Sequence, residues 1–181
     1  MTTEPSSQSG RPWKRYLLYL IGAGVAFLLL IQLVPYGRDH TNPAVTQAAV
    51  FKDPKAAQMV ANSCGDCHSN LTKYPWYSNV APMSWLLANH ISEGRSKLNF
   101  SEWNKPQPPL EDLTEKINSG EMPGWQYTLM HSNAKLSASD KKVLIAGLTQ
   151  MYRDTPPAGI TQSGGGGGEG GGEGGEGGEG G

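Results

Sequence analysis

The only two cysteines of this 181-residue chain stand three positions apart and run straight into a histidine, in Cys64-Gly65-Asp66-Cys67-His68. On a helical turn that spacing sets both thiols on one side, at the separation of the two vinyl groups of a haem, and aims the next imidazole at the iron. Two thioether bonds would hold the porphyrin edge even when an axial bond breaks. Cys64 and Cys67 are therefore expected to carry one haem c covalently, with His68 as the proximal iron ligand. Other uses of a cysteine pair fit less well. A thioredoxin-like redox pair wants a βαβ setting, and this chain shows no convincing strands. Structural zinc wants four ligands, commonly with a second cysteine pair. A disulfide across so short a loop would constrain almost none of the unfolded chain.

The second axial ligand separates an electron carrier from a small-molecule binder. Met122 is the leading candidate, because Gly120-Glu121-Met122-Pro123-Gly124 reads as a loop in which proline restricts the backbone and the side chain need not pack on a helix. His131, nine residues on, is the first alternative, followed by His90, which lies in a helix and reads more readily as a packed or capping residue. His40 stands too near the apolar N-terminal segment, and Met83, Met130 and Met151 read as core.

Helices must position these residues. Asp53-Pro54 is an N-cap followed by proline at the first helical position, and Ala56, Ala57, Met59, Val60 and Cys64 continue it into the cysteine motif. A second helix is expected from about Pro82 to Ser84 through Trp85, Leu86, Ala88 and Ile91, with Gly94 as its closing glycine. The third spans about Pro109 to Asn118, presents Leu110, Leu113 and Ile117 on one face, and ends before Gly120. Ser137 and Asp140 resemble a capping box that opens a last helix bearing Val143, Leu144, Leu148 and Met151. The fold class is all-α: a cytochrome-c-like bundle of about four short helices, preceded by one transmembrane helix. Such a bundle buries little without a large apolar insert, and a haem is one. Tyr74, Trp76, Tyr77, Trp85, Trp103, Trp125 and Tyr127 suit a crevice that shields a porphyrin, with indole N–H groups free to meet propionates. Arg95 is a further propionate candidate by charge.

The ends of the chain differ from its middle. Leu17 to Val34 is an apolar run interrupted only by Gln32 and two glycines, and as a helix it spans about 27 Å, close to the thickness of a hydrocarbon core. Arg11, Lys14 and Arg15 precede it, so the positive-inside rule leaves the N-terminus in the cytoplasm and exports all that follows. No small-residue cleavage site follows the run, which favours an uncleaved anchor over a signal peptide. Gly164 to Gly181 contains only glycine and glutamate, buries nothing, and is expected to be disordered, as a flexible acidic extension. The chain thus divides into a cytoplasmic stretch 1–15, an anchor 16–35, a haem-binding domain 36–160 and a tail 161–181. Formal charge is −1, and with no basic stripe nucleic acid is not a partner.

The order helix, Cys64-Gly65-Asp66-Cys67-His68, Met122-Pro123 loop and terminal helix from Leu136-Ser137-Ala138-Ser139-Asp140 resembles class I cytochromes c. More narrowly, Cys67-His68-Ser69, Tyr74-Pro75-Trp76-Tyr77, Ala81-Pro82-Met83-Ser84-Trp85, Glu93-Gly94-Arg95 and Leu98-Asn99-Phe100-Ser101-Glu102-Trp103, with Thr41-Asn42-Pro43-Ala44 after the anchor, resemble a bacterial family of haem-binding domain proteins. The likeness runs from about Leu33 to Tyr152. It implies a cytochrome-c-like fold with covalent haem, and it names a cofactor rather than a reaction.

With Met122 bound, the iron would be six-coordinate with nitrogen and thioether donors, which favours the reduced state and resists substrate. The expected role is a monohaem electron carrier rather than an enzyme. It would be anchored in the bacterial cytoplasmic membrane, its partners being the lipid bilayer and redox proteins on the periplasmic or extracellular face. Flexible residues between Pro35 and Val45 would set its reach. The other ring nitrogen of His68 is expected to donate to a carbonyl, with the segment around Pro75 as its source. A haem sensor or peroxidase-like protein with a labile sixth ligand, or a haem-bearing accessory subunit of a membrane complex, are the alternatives.

Overall fold

The computed structural model describes residues 13–161. The expectations for the extreme N-terminus and for the Gly/Glu tail lie outside the described residues.

Helix α1, Trp13–Ile31, carries Lys14 and Arg15 in its first turn, has no further charge, and none of its residues is buried. It is long and apolar enough to cross a membrane. Its continuation is not free. The side chain of Gln32 clasps one residue of the domain from both sides, Nε2 donating to the Ala81 carbonyl at 2.9 Å and Oε1 accepting from the Ala81 amide at 3.0 Å. Arg38 Nη2 donates to the same Gln32 oxygen at 3.0 Å.

The chain after α1 then runs over the domain as a strap. Tyr36 donates to Asn89 Oδ1 at 2.6 Å, His40 stacks on Tyr74 and contacts the Ser78 carbonyl, and Asn42 donates to the Thr72 carbonyl at 2.9 Å. Gly37 adopts a left-handed φ of 75° and passes so near the Ser84 carbonyl that a Cβ would collide with it. The expected flexibility of 35–45 is therefore corrected: each of these contacts removes freedom from the segment, and the domain is seated at the end of α1.

Four helices stand where capping and periodicity place them. Helix α2, Pro54–Ser63, begins with Asp53 accepting from the Lys55 amide. Cys64 ends it and starts the single turn α3, Gly65–His68. Helix α4 covers Met83–Lys97 and follows a 3-10 turn at Trp76–Asn79. Helix α5, Leu110–Ser119, stops at left-handed Gly120. A short α6, Trp125–Met130, precedes α7, Ala138–Asp154, which opens with a complete Ser137/Asp140 capping box. The fold is all-α, with one small exception that periodicity does not reveal. Pro106–Gln107 (β1) and Gly159–Ile160 (β2) pair in parallel and bring the segment after α7 back to the loop before α5.

Two further expectations are corrected. Gly94 is not the closing glycine of α4: the helix runs three residues past it, and Gly94 is buried in its interior. Met83 and Met130 are exposed, 39% and 57%, whereas Met151 is core as expected.

The core lies where α2, α5 and α7 meet the loop carrying Phe100 and Trp103, and includes Val60, Leu113, Ile117, Leu144, Leu148 and Met151. Trp103 stacks on Phe100, takes the edge of Tyr152, and donates its indole N–H to the Thr155 carbonyl at 2.7 Å, so its donor is spent inside the domain. Helices α2 and α7 approach closely because Gly147 presents no side chain to Ala56; a Cβ there would overlap the alanine methyl. We expect Gly147→Ala to cost about 1–3 kcal/mol by overpacking, read as a lower midpoint in thermal unfolding. Ala56→Gly in the same chain should return most of that loss.

Candidate functional site

The sequence Gly65-Asp66-Cys67-His68 forms one turn because Cys64 serves as both the end of α2 and the start of α3. The Cys64 amide donates to the Val60 carbonyl, and the Cys64 carbonyl accepts from the amides of Cys67, at 3.2 Å, and His68, at 2.9 Å. Both cysteines are free thiols and half-buried. Burial, with Cys67 adding to it, pushes the Cys64 thiol up to about 12, and burial with the Asp66 carboxylate pushes Cys67 up to about 11. At neutral pH both are therefore S–H groups, the form that adds across a vinyl double bond without net oxidation.

Helix α4 holds this turn. Gly94 faces Cys67 so closely that a Cβ would stand 2.6 Å from the Cys67 carbonyl oxygen. This approach brings the C-terminal carbonyls of α4 onto the histidine. His68 Nδ1 lies 2.9 Å from the Gly94 carbonyl and 3.1 Å from that of Leu98. The orienting carbonyls thus come from α4 and not, as the sequence suggested, from around Pro75, because side-chain-free Gly94 lets the helix end reach the ring. Burial lowers the His68 pKa against the opposing effect of these two hydrogen bonds. The ring is held neutral with Nδ1 as its donor, which leaves Nε2 a lone pair.

Arg95 is committed elsewhere. Its Nε donates to the Ser69 carbonyl at 2.9 Å, and Nη2 donates to Asn42 Oδ1 at 2.7 Å and Thr72 Oγ1 at 2.8 Å. It ties the residues after the motif to the strap, and this replaces the propionate contact expected from charge alone. Trp85 is different: its indole Nε1 is buried with no partner among the described residues, a donor still unspent.

Tyr127 was expected among the crevice aromatics, but its pairing with Asp66 is what motif reasoning missed. The Tyr127 hydroxyl donates to Asp66 Oδ2 at 2.7 Å, and the Lys73 amide donates to Oδ1 at 3.1 Å. Burial and that carboxylate raise the Tyr127 pKa, with Cys67 and Cys64 contributing to the same shift, so the phenol stands beside the thiols. The available signal was one acidic residue inside the motif and one tyrosine in the short segment after Met122.

The candidates for the sixth position are arranged as follows. Met122 follows left-handed Gly120, its amide donates to the Lys116 carbonyl at 3.0 Å, and its side chain is 39% exposed. His131 stacks on Tyr127 with ring centroids 4.1 Å apart and places Nδ1 at 3.1 Å from the Tyr127 carbonyl. His90 is exposed on α4, neither packed nor capping. Trp125, Leu129 and Met130 are exposed, and no residue of α6 is buried. The turn offers a neutral imidazole and two thiols, and the Tyr127–Asp66 bond brings α6, which leaves Trp125, Leu129 and Met130 uncovered, beside it. These residues fit a haem. No cluster of three or more His, Cys, Asp or Glu suited to a metal ion occurs among the described residues.

The haem-binding domain family matches residues 26–150, more than half the chain, and the chain belongs to that family. No curated protein and no solved structure matches it at a significant level.

Two outcomes follow from this geometry. Gly94→Ala should displace the motif turn and lower the haem-to-protein ratio of the purified protein. Tyr127→Phe should leave that ratio intact and cost about 1.5–3 kcal/mol for the lost bond to a carboxylate, measured by denaturant unfolding.

Proposed function

We propose that this chain is a membrane-anchored monohaem c-type cytochrome that carries single electrons between redox proteins on the outer face of the bacterial cytoplasmic membrane, a carrier rather than a catalyst. The observation that supports it most is the His68 ring, neutral and oriented through Nδ1 by the end of α4, on the same turn as two protonated thiols. The haem supplies a one-electron iron couple.

This chain's own residues do the rest. A haem would be held by Cys64 and Cys67, each S–H adding across a vinyl double bond to leave a thioether, and by His68 Nε2 and the Met122 thioether as iron ligands, which would leave no position for substrate. Arg11, Lys14 and Arg15, which precede the apolar run from Leu17, keep the N-terminus inside, so the haem domain lies outside.

One observation favours a second assignment of the sixth ligand. The Tyr127 carbonyl orients His131 through Nδ1, the arrangement usual for a ligating histidine.

Denatured protein from a host competent for cytochrome c maturation should keep its colour through acidified organic extraction. Cys64→Ala with Cys67→Ala should release it. Met122→Ala should abolish the sulfur-to-iron charge-transfer band of the ferric protein and admit carbon monoxide to the ferrous form, while His131→Ala leaves both unchanged. Loss of low-spin character in the histidine variant alone would transfer the ligand role to His131. Ready carbon monoxide binding by the unaltered protein would favour the sensor or peroxidase-like alternative.

A further inference from the structure

The stretch from Tyr74 to Asn89 contains sixteen residues without one Asp, Glu, Lys, Arg or His. It is nonetheless open on one side: Trp76 is 79% exposed, and Val80, Met83 and Leu86 are 43%, 39% and 43% exposed. A charge-free, apolar surface of this kind marks a contact with lipid or with another protein. Its position decides between them.

Ala81, in the middle of the stretch, is the residue that Gln32 clasps through both its amide and its carbonyl, and Gln32 directly follows the last turn of α1. Val80 and Pro82 adjoin it covalently, and Met83 is two residues away, which keeps it within about 7 Å of Ala81. Leu86 lies three residues further and shares a flank of α4 with Met83. The strap does not cover that flank, since Gly37 packs over Ser84 and Ala88. The headgroup layer outside a hydrocarbon core is about 5–8 Å deep on each side, so side chains this near the end of a spanning helix meet it. Exposed Tyr36, held at its hydroxyl by Asn89, is an aromatic of the kind that anchors at that depth.

We infer that Trp76, Val80, Met83 and Leu86, with Tyr36, sit in the headgroup layer of the outer leaflet. The Gln32–Ala81 clasp then seats the haem domain on the bilayer in one orientation. The inference rests on the reading of α1 as an uncleaved span, and it assigns lipid, not a protein partner, to this face. Redox partners would have to approach along the membrane or from the face turned away from it.

The test uses the full-length haem-loaded protein in vesicles of phosphatidylethanolamine and phosphatidylglycerol, with a photoreactive benzophenone side chain placed in turn at position 76, at position 83 and at exposed position 142 on α7. Severalfold more lipid adduct at 76 and 83 than at 142, falling toward the level at 142 when Gln32→Ala opens the clasp, is the expected result. Equal capture at all three positions, or adducts to a second copy of the chain in place of lipid at 76 and 83, would overturn it. Intact mass of the membrane-extracted protein tells the two readings apart. A chain shortened by the N-terminal helix removes the span and the inference together, whereas an intact integral protein that captures no lipid at 76 and 83 removes the inference alone.

Discussion

The structure depends on the contact of Gly94 with Cys67. A helix that is to orient an imidazole with its last carbonyls must approach the turn carrying that imidazole to within backbone distance, and only a residue without a side chain permits this at the contact point. Once there, the end of α4 supplies the Gly94 carbonyl, which also accepts from the Leu98 amide, the carbonyl of Leu98 that follows the helix, and the negative pole of its dipole, all directed at the Nδ1 hydrogen of His68. Burial opposes the charged ring, so a neutral, oriented imidazole results. The position of every other residue at the site is set relative to this pair of elements.

Two polar devices, one half-buried and one buried, keep α4 and the motif in register. Arg95 binds Ser69, Thr72 and Asn42 at once, joining the helix, the segment after the motif and the strap. Behind it, Asn70 and Asn99 pair through their side chains at 2.9 Å, with Ser101 and Gln107 satisfying the adjoining amides. Both asparagines begin Asn-x-Ser/Thr triplets. Buried and bonded to one another, they serve the interior and not a modification. The Phe100 amide donates to the His68 carbonyl at 2.8 Å, so the same loop that fills the core with Phe100 and Trp103 also fastens the histidine's backbone. Core packing and site geometry are here one set of contacts.

The strap gives the domain its relation to α1. An apolar helix followed by a flexible linker leaves the next domain free to swing; one whose next residues are bound to Ala81, Asn89, Ser78 and Thr72 does not. The clasp at Gln32 fixes which surface of the domain adjoins the helix end.

Local chemistry was legible in the residues. Asp53-Pro54, the Ser137/Asp140 box and Gly120 act through atoms within a turn of themselves, so they marked helix ends in the sequence, and the spacing of Cys64, Cys67 and His68 was enough to place all three on one helical turn. The apolar run before Pro35 likewise needed only its length and composition. Tertiary structure decided what depends on residues distant in sequence. Gly94 reads as a helix stop until Cys67, 27 positions earlier, is placed against it. Arg95 reads as a propionate partner until three acceptors from the strap and the motif surround it. Tyr127 acquires its role from Asp66, and Gln32 from Ala81, 49 residues away. A hydrogen bond or a close backbone approach is specified by position in space, and periodicity carries no record of it.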